Sequence, residues 1–143
     1  MRLRFGRHAG HTTERLLLRA PDYAEWVMRR QPNGPVGRAF SDLARRLDAK
    51  PFTENCVLCG DRAESAGAYP DSVALILRCE PCRAKPDAAG LEPCSTFRQA
   101  VAHVAETCAR AQTRNKRRII RTLARAKGLE RRITEAEAAR FFL

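Results

Sequence analysis

The chain has 143 residues, 27 of them Lys or Arg against 16 Asp or Glu, for a formal net charge of +11. No run is apolar enough to span a membrane and no secretory hydrophobic core follows Met1, so neither a membrane-spanning nor an exported chain is expected. With 6% aromatic and 30% charged residues, the length suits one modest domain or two small units, whose thin core would gain from a metal staple. So large a basic excess favours a polyanionic partner, of which nucleic acid is the usual one. Cys-x-x-Cys pairs without an export signal point to a reducing compartment, the cytoplasm, or the nucleoid if the chain is bacterial. An organelle matrix stays open, because Met1 to Ala20 is rich in Arg and carries one acid, Glu14.

The N-terminal stretch Phe5-Gly6-Arg7-His8-Ala9-Gly10-His11 places two glycines four apart. A tight turn displaying Arg7, His8 and His11 is predicted. His8 and His11 have a spacing that could ligate metal, but no further ligand is close in sequence, so a solvated pair near phosphate is the better reading. Thr12 or Thr13 can cap a short helix carrying Leu16, Leu17 and Leu18. Pro21 and Asp22 open a second helix in which Tyr23, Trp26 and Val27 share a face. Phe5, Tyr23 and Trp26 are expected in the local core, since a short chain with one Trp has little else to bury.

These residues resemble the small domain found C-terminal to exonuclease X-like nucleases, a domain that also stands alone in bacterial and phage proteins. The resemblance is carried by Phe5-Gly6-Arg7-x-x-Gly10 and Pro21-x-Tyr23-x-x-Trp26, and covers residues 5–30. It implies a nucleic-acid-associated module with Arg7, and His8 beside it, near phosphate. It does not carry over nuclease activity, because the four spaced acidic residues of the exonuclease core have no counterpart here.

Gln31 to Pro35 is a break, after which Val36, Phe40, Leu43 and Leu47 predict an amphipathic helix that Pro51 ends. The next stretch carries the strongest signal. Cys56-Val-Leu-Cys59-Gly60 is followed, with nineteen residues between Cys59 and Cys79, by Cys79-Glu-Pro-Cys82, the spacing of a four-thiolate zinc site. Gly60 suits a knuckle with positive φ, and Asp71 to Arg78 is β-rich and can lead into the second pair as a strand. The pattern resembles a zinc ribbon. Two disulfides or a thiol redox pair are the rival readings, although a redox motif needs only one pair and no βαβ pattern surrounds either. Four protein ligands close the shell of Zn2+, so one structural ion is expected and not a catalytic one.

Arg83 to Pro93 reads as loop. Ser95 is expected to cap a helix to about Ala111, with Phe97, Val101, Val104 and Cys108 on its buried face. His103 points away from Cys108 on such a helix, so Cys94, His103 and Cys108 do not make a second site. From Arg110 to Arg132, ten basic residues face one acid, Glu130. Ile119, Ile120 and Leu123 form a narrow apolar strip, and Arg114, Arg117, Arg118, Arg121 and Arg125 group along the other side. A solvated face would mix signs, whereas this one needs a phosphate backbone to offset its self-repulsion. Thr134-x-x-Glu137 is a capping box opening a last helix, and Phe141, Phe142 and Leu143 either dock on the body or plug into a protein partner.

The fold expected is α+β and mostly helical: a helical N-terminal module (1–50), a four-cysteine zinc ribbon (51–93) and a basic helical C-terminal region (94–143). The function expected is non-enzymatic nucleic-acid binding, with DNA favoured by the resemblance and phosphates held by Arg7, His8, Arg114, Arg117, Arg118, Arg121 and Arg125. Few aromatics are available to stack on single strands, so duplex DNA or structured RNA fits better. The alternative is an adaptor or assembly subunit of a larger nucleoprotein or transcription complex.

Overall fold

Helix boundaries in the first third follow the punctuation of the sequence. The computed structural model describes residues 1–85 and 89–143. Thr12 is extended and its side chain accepts from the Arg15 N–H, which starts α1 (Thr13–Arg19). Pro21 opens α2 (Pro21–Arg30) and Pro35 opens α3 (Pro35–Ala49), positions where the missing N–H has no partner to lose. The turn between α2 and α3 is so close that a Cβ on Gly37 would overlap the Gln31 carbonyl oxygen. Before α1 the chain doubles back, with Leu3 N–H donating to His11 O and Gly10 N–H to Leu3 O, both at 2.9 Å. The loop between them leaves Arg7 exposed and lays His8 on the Tyr23 ring of α2.

The ribbon is a three-stranded antiparallel sheet in the order β2-β1-β3, with β1 Ser65–Ala68, β2 Ile76–Arg78 and β3 Glu92–Pro93. Only the last three residues of the β-rich Asp71–Arg78 run join the ladder. Pro70 and Asp71, the latter at φ 62°, turn the chain out of the sheet, and the Asp71 N–H bonds Thr107 Oγ1 at 3.0 Å. The single-turn α4 (Glu80–Arg83) follows β2. The expected loop from Arg83 to Pro93 therefore gives up its ends to α4 and β3, and its residues 86–88 lie outside the described residues.

Thr96, not Ser95, caps α5 (Phe97–Thr107), in a reciprocal box with Gln99. The Ser95 hydroxyl instead ties the helix start to the sheet through Ala66 N (2.9 Å) and Ala66 O (3.2 Å). The helix stops at Thr107, short of Ala111, which is left-handed and precedes α6 (Gln112–Ala126). Thr134 caps α7 (Glu135–Phe141) by accepting from Glu137 N–H, while the Glu137 carboxylate goes to Arg140 at 2.6 Å and not back to the cap.

One buried apolar cluster runs from Leu3 to Phe142 and draws on the helices and on Ala63, Ala66, Ala68 and Leu77 of the ribbon. Ile119, Ile120 and Leu123 are fully buried in it, each contributing about 2 kcal/mol by area removed from water. Cys94 and Cys108 also belong to this core. Phe141 and Phe142 are buried against the chain itself, with Arg46 donating to Phe142 O and the Lys50 ammonium 4.6 Å from the Phe141 ring. Of the two readings of the C-terminus, docking on the body is the one observed for Phe141 and Phe142, and of the three terminal residues only Leu143 is exposed.

Two aromatics depart from expectation: Phe5 is 86% exposed and Trp26 48%. The inner face of α2 is filled by Ala24, Val27 and Met28. Trp26 stands about 200° around the helix from Ala24, hence on the outer side. Among the described residues no helix is long and apolar enough to cross a membrane.

Candidate metal centre and nucleic-acid interface

Local backbone geometry builds the two cysteine knuckles. In the first, Gly60 N–H closes on Cys56 O at 3.0 Å with Gly60 at φ 81°, a conformation that a glycine adopts without strain. In the second, Cys79 follows β2 and caps the first turn of α4, with Arg83 N–H on Cys79 O at 3.0 Å. Val57 N–H to Leu77 O (3.0 Å) and Glu80 N–H to the Glu64 carboxylate (3.1 Å) lock the knuckles to the ribbon.

The four Sγ atoms of Cys56, Cys59, Cys79 and Cys82 all lie within 4.8 Å of one another and could hold a metal ion. All four are free thiols. The Cys59–Cys79 sulfur separation is 3.5 Å, far beyond a disulfide bond and close to the roughly 3.8 Å edge of a tetrahedron built on Zn–S bonds of about 2.3 Å. Cys56, Cys79 and Cys82 are buried and only Cys59 meets solvent. Burial pushes the Cys56 thiol up, but N–H groups of Cys59, Cys79 and Leu58 outweigh it and bring the pKa down to about 6. Cys82 is pushed up to about 12, first by hydrogen bonding to the Cys79 side chain and then by burial. One thiol of the hollow is thus shifted toward ionisation and another away from it.

The remaining thiols are of a different kind. Cys94 is fully buried, and burial with the nearby Glu92 charge raises it to about 11. His103 is held between Glu92 (2.9 Å) and Ser72 O (2.8 Å), so among the described residues it joins neither Cys94 nor Cys108 in a metal group.

The outer side of α6 forms a groove of about 320 Å³ lined by Arg19, Arg114, Arg117, Arg118, Arg121, Arg125 and Arg132, with Leu18 and Ile133 at its floor and no carboxylate in the lining. None of these seven arginines is in an ion pair among the described residues. A second pocket, of about 440 Å³, opens beside the N-terminal turn and is lined by Arg7, His8, His11, Arg15, Tyr23 and Thr113, among others. Arg19 and Arg117 line both. Two stretches far apart in sequence, the turn with Arg7 and His8 and the α6 face, thus share one basic surface.

Asp22 is the one acid in the pocket lining. Burial pushes its carboxyl up, but hydrogen bonds from Lys116 (2.8 Å) and Thr113 (2.7 Å) hold it below the usual range. Its charge is thereby cancelled. The His11 Nδ1 lies 3.1 Å from Glu135 of α7 and 2.8 Å from Arg15 Nη1, and Glu135 also accepts from Thr12 and Arg15. His8 packs on the Tyr23 ring at 4.5 Å. Its pKa is lowered, by burial first and then by Arg7 and His11, so it is neutral at pH 7. Its Nε2 has no hydrogen-bond partner among the described residues.

Two basic residues of the 110–132 run turn inward. Lys116 pairs with Asp22, and the Lys127 ammonium closes the C-terminal end of α3 by donating to Leu47 O (2.9 Å) and Asp48 O (3.0 Å). Arg15, Arg19 and Arg132 enter the basic surface without having been singled out by the sequence. The four-residue spacing of Arg15 and Arg19 was visible, but not that this face of α1 meets α6. No family model, curated protein or solved structure matches the chain, so its functional reading rests on these two sites.

Proposed function

We propose that the chain is a non-enzymatic nucleic-acid-binding protein, with DNA the favoured ligand, stiffened by one structural Zn2+ at Cys56, Cys59, Cys79 and Cys82. The observation that carries this reading is the seven-arginine groove without a carboxylate, continuous through Arg19 and Arg117 with the pocket at Arg7. Guanidinium groups left unpaired in one groove repel each other, and a phosphate backbone relieves that repulsion while releasing its own counterions. Arg also matches phosphate oxygens in pairs, where Lys acts as a point charge. The motif at residues 5–30 that resembles the exonuclease X-associated domain adds support for DNA. Zinc, when bound, supplies rigidity: four thiolates fill its shell and leave no position for water or substrate.

A polyphosphate binder of this kind loses affinity steeply with salt. If about six phosphates are engaged, the affinity for duplex DNA falls roughly a thousandfold between 50 and 200 mM salt. Fluorescence anisotropy with labelled DNA over that range, repeated with Arg117, Arg118 and Arg121 changed to Glu, tests it. Binding at 50 mM that is lost in the triple variant supports the reading, and no binding by the unaltered protein sinks it.

One observation favours a second reading. Val57 and Leu58, between the first cysteine pair, are 61% and 44% exposed and offer a small apolar tip to a protein partner. An adaptor working through that tip would bind its partner almost independently of salt.

A further inference from the structure

The basic pocket has an aromatic wall that phosphate binding does not explain. His8 lies on Tyr23 with ring centroids 4.5 Å apart, and Tyr23 lies on Trp26 at 6.3 Å with the planes only 27° apart. His8 and Tyr23 line the pocket together with Arg7, Arg15, Arg19 and Arg117. Trp26, the next ring along, is 48% exposed, and the Arg30 guanidinium sits 6.0 Å from its centre. The indole face that is not packed against the chain is open to solvent and free to take a flat ring. Rings in succession beside arginines such as Arg7, Arg19 and Arg117, which are in no ion pair among the described residues, are how single strands are held, because each base offers a π-face and each linking phosphate a charge.

We propose that this His8–Tyr23–Trp26 wall stacks unpaired bases, so that the ligand of the basic surface includes a single-stranded segment, its bases on the wall and its phosphates on Arg7, Arg19 and Arg117. Duplex DNA buries its base faces inside the stack and cannot use the wall. The inference rests on the phosphate-binding reading and narrows it, reversing the expectation, drawn from the small number of aromatics, that duplex is preferred.

Trp26 is the only tryptophan of the chain, so its emission reports on this wall alone. The experiment titrates the zinc-loaded protein at 50 mM salt with a thymidine 20-mer and with a 20-base-pair duplex, following Trp emission and anisotropy of the labelled DNA. Trp26→Ala and Trp26→Phe are carried through the anisotropy arm, each checked by thermal melting. The expected result is strong quenching by the single strand and little by the duplex. Trp26→Ala should then bind the single strand about ten- to hundredfold more weakly, leave the duplex affinity within about twofold, and be largely rescued by Trp26→Phe. Equal binding of both ligands without quenching, unaffected by Trp26→Ala, overturns the inference and leaves the phosphate reading standing. Binding of neither ligand overturns both.

Discussion

The Lys116 ammonium lies 2.8 Å from the Asp22 carboxylate, joining the buried edge of α6 to the first turn of α2. The pair does two things at once. It fixes the angle at which the arginine face is presented, and it neutralises the one acid in the lining of the basic pocket. Lys116→Met removes the cation and keeps most of the stem, stranding Asp22 beside Thr113. A loss of about 2 kcal/mol in urea unfolding is expected, below the cost of breaking a fully buried pair because Asp22 is part-exposed. DNA affinity should fall as well, although Lys116 never meets phosphate. Arg114→Met, two residues away and on the outer side, should change stability by less than about 0.5 kcal/mol. Equal stability of the two variants would show that the pair does not hold α6 to α2.

Gly37 makes a second, sharper point about packing. A Cβ there would overlap the Gln31 carbonyl oxygen and come within 2.9 Å of its carbon, both backbone atoms that cannot swing aside. Gly37→Ala must therefore push α3 away from the α2 turn, with a cost of about 3 kcal/mol, at the upper end for overpacking. Gly34→Ala meets its nearest atoms at 3.6 Å or beyond and should lose only about 0.5 kcal/mol, the difference in preference at a helix start. Thermal melts of the two variants side by side decide the matter; similar midpoints would mean the turn is looser than the contact implies.

What the sequence shows and hides follows the range of the interaction. Cysteine spacing is a local property: two short turns and a strand suffice to gather Cys56, Cys59, Cys79 and Cys82, so the four-cysteine cluster is readable in the letters. Likewise the i, i+4, i+7, i+11 spacing of Arg114, Arg118, Arg121 and Arg125 sets the outer face of α6 by helix geometry alone. Trp26 is different, because whether α2 faces inward at that residue depends on Ala24, Val27 and Met28 competing for the same interior. The inward turn of Lys116 and Lys127 is equally hidden, since Asp22 and the carbonyls of Leu47 and Asp48 lie far away in sequence. The junction of the two basic stretches at Arg19 and Arg117 exists only in three dimensions.

The cysteine cluster and the helical core are separate clusters of buried side chains, and with zinc bound to the cysteines this predicts an uneven response to chelation. Purified protein should carry about one zinc per chain by mass spectrometry, and Cys56→Ser or Cys79→Ser should lose it. Removing the ion leaves thiols that cannot all be ionised in one hollow, so the knuckles should open. The apolar packing of α1, α3, α5 and α6 does not depend on them. Far-ultraviolet dichroism should thus keep most of its helical signal in a strong chelator, while amide protection vanishes at Val57, Gly60 and Arg83. Collapse of the whole helical signal would instead make the ion a condition for folding the entire chain.

His8 ties the pocket to pH. Its pKa lies below the ordinary histidine value because burial and the positive charges of Arg7 and His11 disfavour its cation. An anion placed among Arg7, Arg19 and Arg117 cancels that repulsion, so the pKa of His8 should rise on binding. By linkage, a group whose pKa rises in the complex takes up a proton, and affinity then grows as pH falls through the bound-state value. DNA should bind several-fold more tightly at pH 6 than at pH 8, and His8→Gln, which cannot take the proton, should flatten that dependence while keeping the salt dependence set by the arginines. Imidazole chemical shifts followed through a pH titration with and without a thymidine oligonucleotide measure the shift directly. A His8 pKa that stays put on binding would place the phosphates on α6 alone, away from the N-terminal turn.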